Sequence, residues 1–181
     1  GETAALMGSF NIGEAPWSIY TQEVKDSIAA YGDAAIVTIS RIGGEGADSY
    51  FDHALVNKGN NEKMNYNYLA LSQDEKDMMA KVKEMKDAGK VDKIIVLINT
   101  SNALQVDFLK NNEYGVDATL WIGGVGQTGI DAVADIINGT VNPSGSLADT
   151  YCFDNYSSPV MQNFTPVQYT GDLSKIPGHA D

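Results

Sequence analysis

The sequence has little cysteine, few basic residues and no long apolar run, and each shortage excludes a class of protein. Cys152 is the only cysteine among 181 residues, so an internal disulfide framework is excluded. Twelve Lys and Arg stand against 24 Asp and Glu, which gives a net charge of −12. Nucleic acids and anionic membranes require a basic protein surface, so neither is expected as a partner. The longest apolar run, Ile94 to Ile98, is far shorter than the roughly 20 residues of a membrane span.

The composition fits one folded domain with irregular ends. Hydrophobic residues make up 43% of the chain, which is enough for a core. We expect a Gly-rich arm over residues 1–16, an α/β domain over residues 17–155 and an irregular tail over residues 156–181. The chain begins at Gly1 without a cationic segment, so no secretory signal is expected. The sequence leaves a cytoplasmic or a secreted location open.

Strand-like and helix-like apolar patterns alternate along the chain. Strands are expected over residues 34–40, 93–99 and 117–122, with a further short strand over residues 147–151. Helices are expected over residues 21–30, 72–88 and 130–137. This alternation predicts an α/β fold, a three-layer α/β/α sandwich with a mostly parallel sheet. Three or four strands are few for such a sheet, so we expect the sandwich to be truncated.

The second predicted helix has a start signal, an apolar side and a charged side. Ser72 and Glu75 have the spacing of a capping box. Methionines recur at helical spacing and are expected in the core, namely Met78, Met79 and Met85. The charged residues are expected to form a solvated face, namely Asp74, Glu75, Asp77, Lys81, Lys83, Glu84 and Lys86. Both sides of this helix therefore have a structural interpretation.

The segment after the first predicted strand is the best candidate for a functional site. Arg41-Ile42-Gly43-Gly44-Glu45-Gly46-Ala47-Asp48 opens a long loop that reaches about residue 71. Ligands of open α/β sheets bind beyond the carboxyl ends of the strands, so Glu45 lies where chemistry is usually placed. The flanking glycines let the backbone turn sharply and leave the carboxylate accessible. A solvated loop carboxylate is the alternative for Glu45, and Asp48 is either a second polar contact or a turn residue.

A second motif, Gly124-Val125-Gly126-Gln127-Thr128-Gly129, has the GxGxxG pattern of a dinucleotide-binding turn. It follows a predicted strand, opens a predicted helix and has Asp149 about twenty residues further on. Too little sequence follows to build the second half of a nucleotide-binding fold, so a tight strand-to-helix turn is the favoured interpretation. No cluster has the spacing of a zinc site, and no Ser has the surroundings of a nucleophile elbow. Neither a metal nor a cofactor is therefore expected.

Several segments stand in a characteristic order between about residues 17 and 150. They are Gly32–Arg41 running into Gly44-Glu45-Gly46-Ala47-Asp48, then Leu69–Ser72, Ile94–Asn99, Trp121–Gln127 and Gly139–Gly145. In this order they resemble the α/β sandwich domain of glycoside hydrolase family 3, the β-glucosidase-like exo-glycosidases. Each segment alone is a weak match, and the order and spacing together make the resemblance specific.

The resemblance implies a catalytic unit of two domains. In this family a (β/α)8 barrel supplies an aspartate nucleophile and most contacts to the terminal sugar, and the sandwich domain supplies a general acid/base glutamate. By motif match this glutamate is Glu45, and Asp48 and Arg41 are the implied substrate-binding residues. The implied reaction is retaining hydrolysis of a terminal β-linked sugar by two carboxyl groups about 5 to 5.5 Å apart. The implied partners are an oligosaccharide or glycoside substrate and the barrel domain, without a cofactor.

The sequence departs from the family pattern in three places. Ser49 stands where the family often has Arg after the motif aspartate. Gly123-Gly124-Val125-Gly126-Gln127 stands at the turn that usually reads Trp-x-Pro-Gly-Gln, and here a structural role is expected for Trp121 and Gln127. The barrel and the early strands of the sandwich have no counterpart in the sequence. The chain is therefore expected to be a fragment of a larger glycosidase, inactive without its barrel.

Two other functions stay open at this point. One is a non-catalytic carbohydrate-binding or scaffold module with the same fold, in which Glu45 is only a polar contact. The other is a nucleotide-binding domain that uses Gly124–Gly129.

Overall fold

A three-stranded parallel sheet forms the centre of the structure, a computed structural model that describes residues 13–42 and 68–159. Strands β1 (Ala35–Ser40), β2 (Ile94–Asn99) and β3 (Ala118–Trp121) lie in this order. Each strand pairs in parallel with the next, and the register aligns Ala35 with Ile94 and Ile95 with Ala118. The predicted α/β fold with a mostly parallel sheet is therefore confirmed.

Besides the sheet, the described residues contain three α-helices, namely α1 (Gln22–Ser27), α2 (Gln73–Asp87) and α3 (Ile130–Ile137). Short 3-10 segments lie at Trp17–Ile19, Ile28–Tyr31, Asp107–Asn112 and Asn155–Ser157. None of the helices in the described part of the chain has the length and apolar character needed to cross a membrane.

The strand predicted over residues 147–151 is wrong, because these described residues have no strand pairing. An extended strand here would place Leu147, Asp149 and Tyr151 on the same face. The carboxylate of Asp149 then falls between the two apolar residues that a strand would bury. Leu147 is instead 57% exposed.

One face of the sheet carries the hydrophobic core. Alternation along β1 directs Val37 and Ile39 to this face, and the register places Val96 and Ile98 beside them. The covering residues come from α2 and from the segment after β2, namely Met78, Met79, Val82, Leu104, Val106 and Phe108. Because consecutive parallel strands are joined by right-handed crossovers, both connections reach the same face. On the opposite face, Ile36 of β1 is 50% exposed.

At the amino-terminal edge of the sheet, Asp117 joins three elements. Its Oδ2 accepts hydrogen bonds from Lys86 Nζ (2.6 Å) and from Ile94 N (2.8 Å). These bonds connect the last turn of α2 to the starts of β2 and β3. The hydrogen bond from Lys86, followed by that from the Ile94 backbone, lowers the pKa of the Asp117 carboxyl from its ordinary value of 3.8.

We predict that Asp117→Asn lowers the melting temperature at neutral pH and that the difference from the parent protein shrinks in acid. A pKa that is lowered by folding stabilises the fold above the unfolded-state pKa, and this gain is lost as the pH falls through the folded-state pKa. The difference should therefore be constant from pH 7 to 5 and narrow below about pH 4. Circular dichroism during heating measures it.

Asp92→Asn is the matched control for this prediction, because Asp92 is an exposed carboxylate at the same edge of the sheet. The control should melt close to the parent protein across this pH range. A melting difference for Asp117→Asn that is the same at pH 7 and pH 3 would contradict the assignment.

Candidate functional site

The carboxyl ends of the three strands form the edge of the sheet at which Arg41 lies. Arg41 follows β1 directly, and its backbone N–H donates to the carbonyl of Asn99 (3.2 Å). On the other side of β2, the N–H of Ile122 donates to the carbonyl of Ile98 (2.9 Å). The side chain of Arg41 turns inward, with 2% of its surface exposed. A guanidinium is thus buried at the predicted functional edge.

Each of the five N–H donors of the Arg41 guanidinium has an acceptor within the protein. Nη1 and Nη2 each donate to one carboxylate oxygen of Glu75 at 2.7 Å, which makes a bidentate ion pair. Nη1 also donates to the carbonyl of Ser40 (2.7 Å), Nη2 to that of Ala70 (2.6 Å) and Nε to that of Tyr68. A substrate would have to replace one of these acceptors. The predicted role of Arg41 in substrate binding therefore stays a prediction.

Glu75 serves the helix and the arginine at the same time. Its backbone N–H donates to Ser72 Oγ (3.2 Å), and its Oε2 accepts from the N–H of Ser72 (2.8 Å). The predicted capping box is therefore confirmed. The prediction that Glu75 lies on a solvated face is wrong, since the residue is 4% exposed. A crossover helix begins at the carboxyl edge of a parallel sheet, so the first turn of α2 meets the end of β1 and its buried Arg41.

Tyr68 closes the base of the 25-residue segment between Ile42 and Tyr68. Its hydroxyl accepts a hydrogen bond from the N–H of Ile42 (2.7 Å) and donates to the carbonyl of the same residue (3.1 Å). Its ring lies 5.5 Å from the guanidinium carbon of Arg41, within the range of a cation–π contact. With the bonds from Arg41 to the carbonyls of Tyr68 and Ala70, four hydrogen bonds join the two ends of the segment.

The other predicted site residues, Glu45 and Asp48, lie outside the described residues. Their catalytic and substrate-binding roles therefore stay predictions. In the sequence, Glu45 is the third residue after Ile42. The structure thus describes the chain up to Ile42, three positions before Glu45. Within residues 13–42 and 68–159, no group of three or more His, Cys, Asp or Glu side chains is placed to hold a metal ion.

The turn at Gly124–Gly129 is tight where it enters the helix that begins at Ile130. A Cβ on Gly129 would lie 2.4 Å from the carbonyl oxygen of Val125, so only glycine fits there. A Cβ on Gly124 would meet none of the described atoms within 4 Å. Asp131 in the first turn of α3 places a negative charge where a phosphate would need positive potential. These observations favour the tight-turn interpretation over nucleotide binding.

Trp121 links the ends of two strands at the same edge. Its Nε1 donates to the carbonyl of Thr100 (2.8 Å), so the end of β3 is held against the segment after β2. A Cβ on Gly123 would lie 3.2 Å from the Trp121 ring, and Gly123 has a φ of 55°. This geometry supports the structural role expected for Trp121.

Comparison with known protein families assigns the chain to one of them. Residues 18–174 match the family model of the Glycosyl hydrolase family 3 C-terminal domain. The chain belongs to this family. The family expected from the order of the motifs is therefore confirmed.

The proteins to which this chain is similar are named as glycosidases. Beta-glucosidase A of Butyrivibrio fibrisolvens is 31% identical, over 91% of this chain and 21% of its own length. The beta-glucosidase of Ruminococcus albus is 29% identical, over 84% of this chain and 14% of its own length. Beta-xylosidase/alpha-L-arabinofuranosidase 1 of Medicago sativa subsp. varia is 36% identical, over 37% of this chain and 8% of its own length. No solved structure matches the chain significantly.

The chain thus spans about a fifth or less of the length of these relatives.

We predict that Arg41→Met destabilises the protein by about 3–5 kcal/mol, because it leaves the carboxylate of Glu75 buried without its partner charge. Urea unfolding of parent and variant measures the loss. The control is Lys81→Met, which breaks an ion pair whose side chains are 40% and 64% exposed, and which should cost about 0–1 kcal/mol. Similar losses in the two variants would show that burial of the Arg41 pair has no energetic consequence.

Proposed function

We propose that this chain carries the general acid/base of a retaining β-glycosidase and that Glu45 is the proton donor. The main support is the position of Glu45 in a Gly-Glu-Gly-x-Asp segment directly after the anchored end of β1, in a chain of this family. The carboxyl end of a parallel strand is the usual place for such a group. The names of the two β-glucosidases that align over most of the chain agree with this chemistry.

The proposed reaction has two steps, and Glu45 moves a proton in each. In the first, a carboxylate nucleophile attacks the anomeric carbon while Glu45 gives its proton to the glycosidic oxygen, which leaves as an alcohol. In the second, the Glu45 carboxylate takes a proton from water as that water attacks the glycosyl–enzyme bond. Both steps require two carboxyl groups about 5 to 5.5 Å apart.

The nucleophile is proposed to come from a barrel domain of the same enzyme. One carboxyl group cannot perform a double displacement, so we expect this chain alone to lack hydrolase activity. The relatives have several times its length, which leaves room for such a domain. The proposed substrate is a terminal β-linked sugar of an oligosaccharide or glycoside, with Asp48 as a polar contact. A neutral sugar is compatible with a net charge of −12.

We predict that Glu45→Ala in the full-length enzyme lowers kcat/KM about 10²- to 10⁴-fold for substrates with poor leaving groups, since these need a proton from the enzyme. The leaving groups of activated aryl glycosides depart without that proton, so kcat/KM for these substrates should fall much less. Azide should raise turnover of the activated substrates and yield a glycosyl azide, because it attacks the glycosyl–enzyme without a general base. Steady-state kinetics and product analysis measure these effects.

Glu113→Ala is the matched control, because Glu113 is an exposed carboxylate in a loop away from the carboxyl edge. Its kinetics should equal those of the parent enzyme. Full activity of Glu45→Ala on disaccharides would end the acid/base assignment.

We predict that this chain alone shows no measurable binding of glucosides by titration calorimetry, because most contacts to the sugar are proposed to lie on the barrel. Tight binding by the isolated chain would favour a carbohydrate-binding module. A rise in its melting temperature with NAD or ATP would favour a nucleotide-binding domain, since a ligand that binds only the folded state stabilises it. The geometry at Gly129 and Asp131 disfavours that last outcome.

A further inference from the structure

We infer that Tyr68, Arg41 and Glu75 are positioning residues that fix where the acid/base Glu45 stands during proton transfer. The inference rests on the proposed function and extends it to three residues that need not touch the substrate. Four hydrogen bonds join the two ends of the segment that carries Glu45 and support this role.

The backbone of Ile42 is held on both sides by one hydroxyl. Tyr68 Oη accepts from its N–H (2.7 Å) and donates to its carbonyl (3.1 Å). Glu45 is the third residue after Ile42, and an extended chain of that length spans at most about 11 Å, so the position of Ile42 limits that of Glu45. A displacement of this anchor moves the starting point of the catalytic segment.

Tyr68 is itself held by the arginine and the helix. Arg41 Nε donates to its carbonyl, and the guanidinium lies over its ring. The bidentate pair with Glu75 fixes the guanidinium to the first turn of α2. The end of β1, the start of α2 and the end of the long segment therefore share one hydrogen-bonded network.

Stability alone does not require this arrangement of polar groups. Replacing a buried ion pair by apolar residues of similar volume is often neutral or stabilising, because two charges must be desolvated to form the pair. A bidentate guanidinium does supply fixed directions, which an apolar contact does not. Direction matters for an acid that must reach one sugar oxygen, since a misplacement of 1 Å can cost on the order of 100-fold in rate.

The test uses Tyr68→Phe and Glu75→Gln in the full-length enzyme. Tyr68→Phe removes both hydrogen bonds to Ile42 and keeps the ring beside Arg41, so it leaves the buried ion pair in place. The readout is kcat/KM for a series of aryl and alkyl glycosides with graded leaving groups. We expect a loss of about 10- to 100-fold for poor leaving groups and less than about threefold for activated ones. In the same variants, the pH dependence of kcat/KM should also change for a substrate with a poor leaving group.

Two further variants separate the possible outcomes. Asp117→Asn lowers stability at the opposite edge of the sheet and should leave the dependence on the leaving group unchanged. Glu45→Ala reports on the proposed function itself. If Glu45→Ala shows a strong leaving-group dependence and a folded Tyr68→Phe shows none, the positioning role is overturned and the acid/base proposal stands. If Glu45→Ala shows no such dependence, the proposed function fails and the inference fails with it.

Discussion

The bidentate ion pair between Arg41 and Glu75 is the interaction on which the carboxyl edge of the sheet depends. Its two side chains are 2% and 5% exposed, whereas every other ion pair within the described residues has both side chains at least 25% exposed. Exposed pairs are screened by water and contribute little. A buried charge, in contrast, must keep its partner, because losing one member leaves the other desolvated without compensation. The local structure at this edge is therefore constrained to bring both residues together.

The connection between β1 and α2 explains how these residues meet although they are 34 positions apart. A crossover helix runs antiparallel to the strands it joins, so its first turn stands at their carboxyl ends. Glu75 occupies the third position of that turn, where it also completes the capping box with Ser72. A glutamate that caps a helix thus becomes the acceptor for an arginine that ends a strand. The opposite edge has its own polar junction at Asp117, which joins the last turn of α2 to β2 and β3.

Local patterns in the sequence predict the elements of this fold well and their long-range contacts poorly. The apolar runs predict β1 and β2, and Ser72 with Glu75 predicts the start of α2, because strand burial and capping are local signals. The family is also predictable from the order of its motifs, and the family match confirms it. The burial of Glu75 is missed, because an acidic residue in the first turn of a helix is usually solvated and nothing local reveals its partner. An arginine placed directly after a buried strand is the signal that could have pointed to such a pair.

The exposure of the sheet shows what the polar network adds at the end of β1. β1 is an edge strand of the described sheet, and Ile36 on its second face is 50% exposed. Burial against the core fixes Val37 and Ile39, but the second face of β1 is only partly covered. Arg41 supplies the missing constraint by reaching past the strand end to Glu75 on α2 and to two carbonyls beyond the long segment. In this chain, hydrophobic packing holds the middle of β1. Hydrogen bonds from the buried guanidinium of Arg41 hold the carboxyl end of the strand, which precedes Glu45 in the sequence.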